Sequence, residues 1–153
     1  MPLLVKLSPD IDDAEIEDIV AVIKNLHIDG IIATNTTTKR DNLLTDPSTL
    51  AEIGEGGLSG APLRRTATQV IAKLYRLTRG EIPLMGVGGI FTAEDAWEKI
   101  LAGASLVQLY TGFIYQGPRI ARDINEGLAR LLKTNGFSNL DEAVGHRAKE
   151  LEA

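Results

Sequence analysis

Met85-Gly86-Val87-Gly88-Gly89-Ile90 is an apolar run that stops in paired glycines, and one short helix later Leu109-Tyr110-Thr111-Gly112 closes a second apolar run in the same manner. Two such turns at the ends of successive parallel strands are what the last two units of a (β/α)8 barrel need to hold a phosphate on backbone N–H groups. A phosphorylated ligand is therefore the first expectation.

Outward from these turns, short apolar runs alternate with helical patterns, as in parallel βαβ units. Residues 3–7 read as the first strand, closed by Ser8-Pro9. Asp12 with Glu15 three residues later makes a capping box, and Ile16, Ile19, Val20 and Ile23 recur at helical spacing through Asn25. A nearly continuous apolar run over 30–34 reads as a strand buried on both faces and ends in Asn35-Thr36-Thr37-Thr38. The polar stretch from there to Gly60 is long enough to read as a functional loop or lid. Pro62 suits the first turn of a helix to Thr78, and Pro83 opens the strand over 84–87. Thr92 caps a helix ending at Ala102 and Gly103, and 105–109 is the fourth strand. Pro118 starts a helix to about Lys133. Gly136 breaks it, and Ser138 caps a last amphipathic helix through Leu151.

The predicted fold is thus α/β: four βα units, the C-terminal half of a (β/α)8 barrel over 1–137, with a helical extension over 138–153. At 153 residues the chain is too short for a complete barrel, which takes about 250. Half a barrel has two unpaired sheet edges and an interior layer with nothing opposite, so the other half has to come from elsewhere or the chain self-associates.

Composition narrows the function classes. The net charge of -5 comes from acids spread along helical faces, which argues against a nucleic-acid or anionic-membrane surface. With no cysteine, disulfides, thiolate zinc sites and a cysteine nucleophile are excluded. The start has no signal-peptide pattern and no stretch approaches the roughly 20 apolar residues of a membrane span, so a soluble, cytoplasmic chain is expected. His27 and His146 have no second ligand at metal spacing, and no metal is expected. Phe91 and Trp97 read as packing residues. Glu94, Asp95 and Glu98 read as a solvated helix face, and Lys39-Arg40 and Arg64-Arg65 as surface charge able to steer an anion.

Five segments in order carry a resemblance: Val5-Lys6-Leu7-Ser8-Pro9, Ala33-Thr34-Asn35-Thr36-Thr37, Gly56-Gly57-Leu58-Ser59-Gly60 with Pro62-Leu63, Gly86-Val87-Gly88-Gly89-Ile90, and the run from Gly103 to Gly112. Together they resemble the C-terminal half of dihydroorotate dehydrogenase, and the ending Tyr110-Thr111-Gly112-Phe113-Ile114-Tyr115-Gln116-Gly117-Pro118 resembles its quinone-dependent class. The resemblance implies FMN as cofactor and oxidation of dihydroorotate to orotate in pyrimidine biosynthesis, with quinone as acceptor and peripheral inner-membrane association in the full-length protein.

Residue by residue, it places Lys6 near the flavin N1 and C2 carbonyl, where a fixed positive charge favours the reduced, anionic ring. Thr34 meets the flavin, and Asn35 and Thr36 bond the pyrimidine and its carboxylate. Gly60, Gly89, Tyr110 and Thr111 line the ribityl phosphate. The serine base of this class, its first flavin loop and further substrate residues lie in the N-terminal half, so the chain alone is expected to be inactive. Two other readings stay open: another FMN barrel such as the dihydropyrimidine dehydrogenase type, and a non-catalytic half-barrel that binds flavin or phosphate.

Overall fold

Four parallel strands stand in the order β1 (Leu4–Leu7), β2 (Gly30–Ala33), β3 (Leu84–Val87) and β4 (Leu106–Gln108), each paired with its sequence neighbour. The computed structural model describes residues 1–41 and 43–152. Strand order equal to chain order is the winding of a (β/α)8 barrel, and four units are half of it.

The two faces of the sheet differ sharply. Leu7, Ile31, Ala33 and Leu84 are buried beneath α1 (Asp13–Asn25) and α3 (Arg64–Thr78), where they join Ile16, Val20, Ile23, Ile71 and Leu74 in one core. On the other face, Lys6, Ile32, Met85 and Leu106 form one register row across all four strands. Leu106 is 61% exposed and Leu4 is 37% exposed. In a closed barrel such rows are packed into interior layers. Here the row looks onto open space, and among the described residues β1 and β4 each keep an unpaired edge.

Local chemistry sets the helix boundaries. Asp12 and Glu15 form the expected reciprocal capping box at 2.9 Å in both directions, and Thr92 with Asp95 forms a second at the start of α4 (Ala93–Ala102). The long polar connection is not structureless: it carries α2 (Pro47–Ile53), capped by Asp46, and is tied at its base where Thr37 and Leu58 exchange backbone hydrogen bonds. After a single 3-10 turn (Ala61–Leu63), α3 begins at Arg64.

The C-terminal region departs from expectation in two places. The residues after the β4 turn form α5 (Thr111–Gln116) before α6 (Ile120–Thr134). The expected single terminal helix is instead α7 (Leu140–Ala143) and α8 (Ala148–Leu151), and the capping side chain is Asn139, which accepts from the Glu142 N–H, rather than Ser138. Gly145, at positive φ between them, turns the chain so that its N–H reaches Ile100 O. Trp97 packs edge-on against Phe137, and Phe137 against His146, in a second core between α4 and α6. Tyr75 Oη donates to Val144 O, and Leu151 packs against both cores.

Candidate functional site

A cavity of about 340 Å³ opens where the carboxyl ends of the four strands converge, and all eight residues singled out from the sequence line it. Lys6 comes from β1, Thr34, Asn35 and Thr36 from the chain just past β2, Gly60 from the residue before the 3-10 turn, Gly89 from the turn after β3, and Tyr110 and Thr111 from the turn after β4. Gathering ligand-facing groups at this edge is the rule for open and closed α/β sheets alike.

The walls divide by chemistry. Leu63, Val87, Ile90, Phe91 and Leu109 supply apolar surface suited to a flat ring. The N–H groups of Gly60, Gly88, Gly89, Ile90, Thr111 and Gly112 donate to no acceptor among the described residues. Among the described residues no carboxylate lines the cavity and Lys6 is its one charged side chain, in a chain whose net charge is -5. Unpaired donors without an opposing anion are what a phosphate ester requires, so the residues present fit the phosphate of an FMN-like group.

Position by position, the side chains behave differently. Lys6 is exposed on the open face of the sheet. Thr34 is buried, and its hydroxyl donates to Asn35 O at 3.0 Å. Asn35 is exposed; its Oδ1 accepts the Thr36 N–H at 2.9 Å and keeps a second lone pair, so it offers a ligand its NH2 group and that remaining acceptor site. Thr111 Oγ1 donates to Ser59 Oγ at 2.9 Å, tying the β2–α3 connection to the β4 turn. Gly89 owes its identity to its rear side as well as to the cavity. An added Cβ would lie 2.5–2.8 Å from Arg64 Cβ, Cα and N, and φ is +69°. The missing side chain thus lets α3 approach the turn.

The connection past β2 is held from below. Asp10 accepts from Thr37 Oγ1 at 2.5 Å and from the Thr38 N–H and hydroxyl at 2.8 and 3.0 Å. Partial burial raises its pKa, but these three donors and the nearby Lys39 charge outweigh it and hold the carboxyl below its ordinary value. Arg40 is no free surface cation: its guanidinium bonds the carbonyls of Thr37 and Thr38 and reaches Gly56 O.

A further sequence reading is overturned. Asp95 is not part of a solvated face. It is 5% exposed, accepts from the Phe91 and Thr92 N–H groups at 2.9 and 3.0 Å, and pairs with Arg64 at 3.0 Å. The helix period placed it beside Glu94 and Glu98, but the chain past the Gly88-Gly89 turn folds back over it. Lys99, fully buried between α3 and α4, also escaped the sequence reading, as did the lining residues Ser59 and Gln108. Lys99 Nζ donates to Arg64 O at 2.8 Å and to Thr68 Oγ1. Its helix spacing beside Ala96 and Ile100 was the available signal. Among the described residues no group of side chains is placed to hold a metal ion, and no helix is long and apolar enough to cross a membrane.

A parallel βα sheet wound in chain order, with a cavity at its carboxyl edge, defines half of a (β/α)8 barrel. The sequence narrows this class further. The chain belongs to the dihydroorotate dehydrogenase family, whose model matches residues 1–132. It is 50% identical over 154 residues to the dihydroorotate dehydrogenase (quinone) of Nostoc punctiforme, an alignment covering 97% of this chain and 40% of that relative. It is 55% identical over 144 residues to the protein of the same description from Natronomonas pharaonis, covering 94% and 40% respectively. The crystal structure of the Eimeria tenella dihydroorotate dehydrogenase in complex with ferulenol superimposes with a TM-score of 0.87 at 39% identity, over 95% of this chain and 38% of that one. The chain spans about 40% of the length of the curated relatives it matches.

Proposed function

We propose that this chain supplies the phosphate-holding and pyrimidine-facing half of an FMN-dependent, quinone-reducing dihydroorotate dehydrogenase. The observation that carries this reading is the convergence of Lys6, Thr34, Asn35, Thr36, Gly60, Gly89, Tyr110 and Thr111 on one carboxylate-free cavity. When bound, FMN would supply the hydride acceptor for oxidation of dihydroorotate at C6. Backbone N–H groups of Gly60, Gly89 and Thr111 hold the phosphate, with Tyr110 beside them. Lys6 offers positive charge to the ring edge, Thr34 packs at its margin, and Asn35 and Thr36 orient the pyrimidine carboxylate and amides. The base that takes the C5 proton is assigned to the rest of the barrel, as are the quinone passage and peripheral membrane attachment. Residues 138–152 act as an extension whose α8 packs against α3 and α4; Ala153, the last residue of the expected extension, lies outside the described residues.

The test is binding followed by complementation. FMN titrated into the full chain should quench its flavin fluorescence saturably, with riboflavin, which lacks the phosphate, at least about tenfold weaker. Adding the remainder of the Nostoc punctiforme relative should restore orotate formation with a ubiquinone analogue, while this chain alone forms none. Equal affinity for FMN and riboflavin would remove the phosphate assignment, and turnover by the chain alone would remove the half-site assignment.

A further inference from the structure

The turn that carries the unpaired N–H groups of Gly88, Gly89 and Ile90 is gripped from outside the cavity. Arg64, on the first turn of α3 and absent from the cavity lining, donates from Nε to Gly89 O at 3.2 Å. The same guanidinium pairs with Asp95 at 3.0 Å, and Asp95 accepts the Phe91 and Thr92 N–H groups. Every backbone group that these two side chains engage therefore points to the rear. The Gly89–Ile90 peptide is trans, so its N–H points opposite to its carbonyl. With Gly89 O fixed on Arg64, the Ile90 N–H is turned away from α3, and Ile90 lines the cavity.

We propose that Arg64 is a positioning residue for anion recognition: it fixes and polarises the Gly89–Ile90 peptide from behind so that the Ile90 N–H is presented to a phosphate it never touches itself. This rests on the phosphate-holding reading given above. Two features support an indirect role over direct pairing. The Arg64 charge is already balanced by Asp95, leaving little net field for a distant anion. A charged donor on the carbonyl also strengthens the N–H of the same peptide, because hydrogen bonds in a chain polarise one another. The Arg64 backbone is fixed in turn by Lys99, which bonds its carbonyl, and by the absence of a Cβ on Gly89.

The test compares FMN with riboflavin on the full chain, for the parent protein, Arg64→Met and Arg64→Lys, with the 15N amide shift of Ile90 followed during each titration. Arg64→Met should weaken FMN about tenfold and leave riboflavin unchanged. Arg64→Lys, which has charge but no fork to span Gly89 O and Asp95, should fall between. The downfield shift of the Ile90 amide on adding FMN should shrink in step. An unchanged FMN-to-riboflavin ratio in Arg64→Met overturns the proposal, as does equal weakening of both ligands, which would mark a purely structural role. If Arg64→Met does not fold, an unchanged ratio in Arg64→Lys overturns it. A parent protein that binds both ligands equally defeats the phosphate reading and this inference with it.

Discussion

Lys99 Nζ lies 2.8 Å from the carbonyl oxygen of Arg64, wholly buried in the seam between α4 and α3. Burial pushes the ammonium down to about 8 from its ordinary 10.5; the carboxylates of Glu98 and Asp95 oppose that shift and the Arg64 charge adds to it. Between those two values the unfolded chain holds more protons than the folded one, so stability rises with pH across that window and is flat below it. Denaturant unfolding of the parent and Lys99→Met should therefore diverge by about 1–3 kcal/mol in the parent's favour on going from pH 8 to pH 10.5. A difference independent of pH would show that Lys99 is not titrating in the seam.

Gly89→Ala should cost more than about 2 kcal/mol, since its methyl would meet the Arg64 backbone and α3 cannot retreat without opening the core. Gly136→Ala is the control. It has a similar φ of +77° but open space around an added Cβ, so it should cost about 1 kcal/mol from backbone strain alone. Equal losses in thermal or urea unfolding would place the Gly89 requirement in its φ and not in the helix contact.

Asn35→Asp keeps an oxygen to accept the Thr36 N–H and replaces the free NH2 by a second, negatively charged oxygen. Stability should change by less than about 0.5 kcal/mol. In the assembled barrel, kcat/KM for dihydroorotate should fall by more than about a hundredfold, because an anionic acceptor then faces the substrate's own carboxylate. Steady-state kinetics at parental values would remove Asn35 from the substrate site.

The open row of Lys6, Ile32, Met85 and Leu106, with an unpaired edge on each side, should drive the isolated chain to associate. Light scattering is expected to report dimers or larger species, and Leu106→Glu to shift them toward monomer by charging the β4 end of the exposed strip. A stable parental monomer would show that this face tolerates water.

The strands, the Asp12–Glu15 capping box and the Thr92 cap were legible in the sequence because their determinants are local: Asp12 with Glu15, Thr92 at the head of its helix, and apolar runs closed by glycine or proline; the reciprocal bond from Asp95 that completes the second box was not. The cavity residues were legible through the family resemblance; seven of them lie at or just past strand ends, where strand order gathers them, while Gly60 comes from the residue before the 3-10 turn. What escaped depended on partners remote in the chain. Asp95 reads as a surface acid until Arg64 and the backbone at Phe91 fold around it, and Lys99 reads as a solvated base until α3 covers it. Ser59 gains a role only when Thr111 arrives beside it. The aromatic run after Thr111 conceals a helix because it begins inside a glycine turn, and Gly145 splits the terminal helix at a point where the amphipathic pattern continues.

The neck formed by Thr37 and Leu58, reinforced by Asp10 below and Arg40 across to Gly56, closes off the excursion that carries α2. None of the residues of α2 is buried, so that helix contributes nothing to either core. A protease cut within the excursion would leave two polypeptides still clasped at the neck, with Asn35, Thr36 and Gly60 undisturbed on either side. The same seclusion makes this tip the place to graft a reporter or an affinity tag.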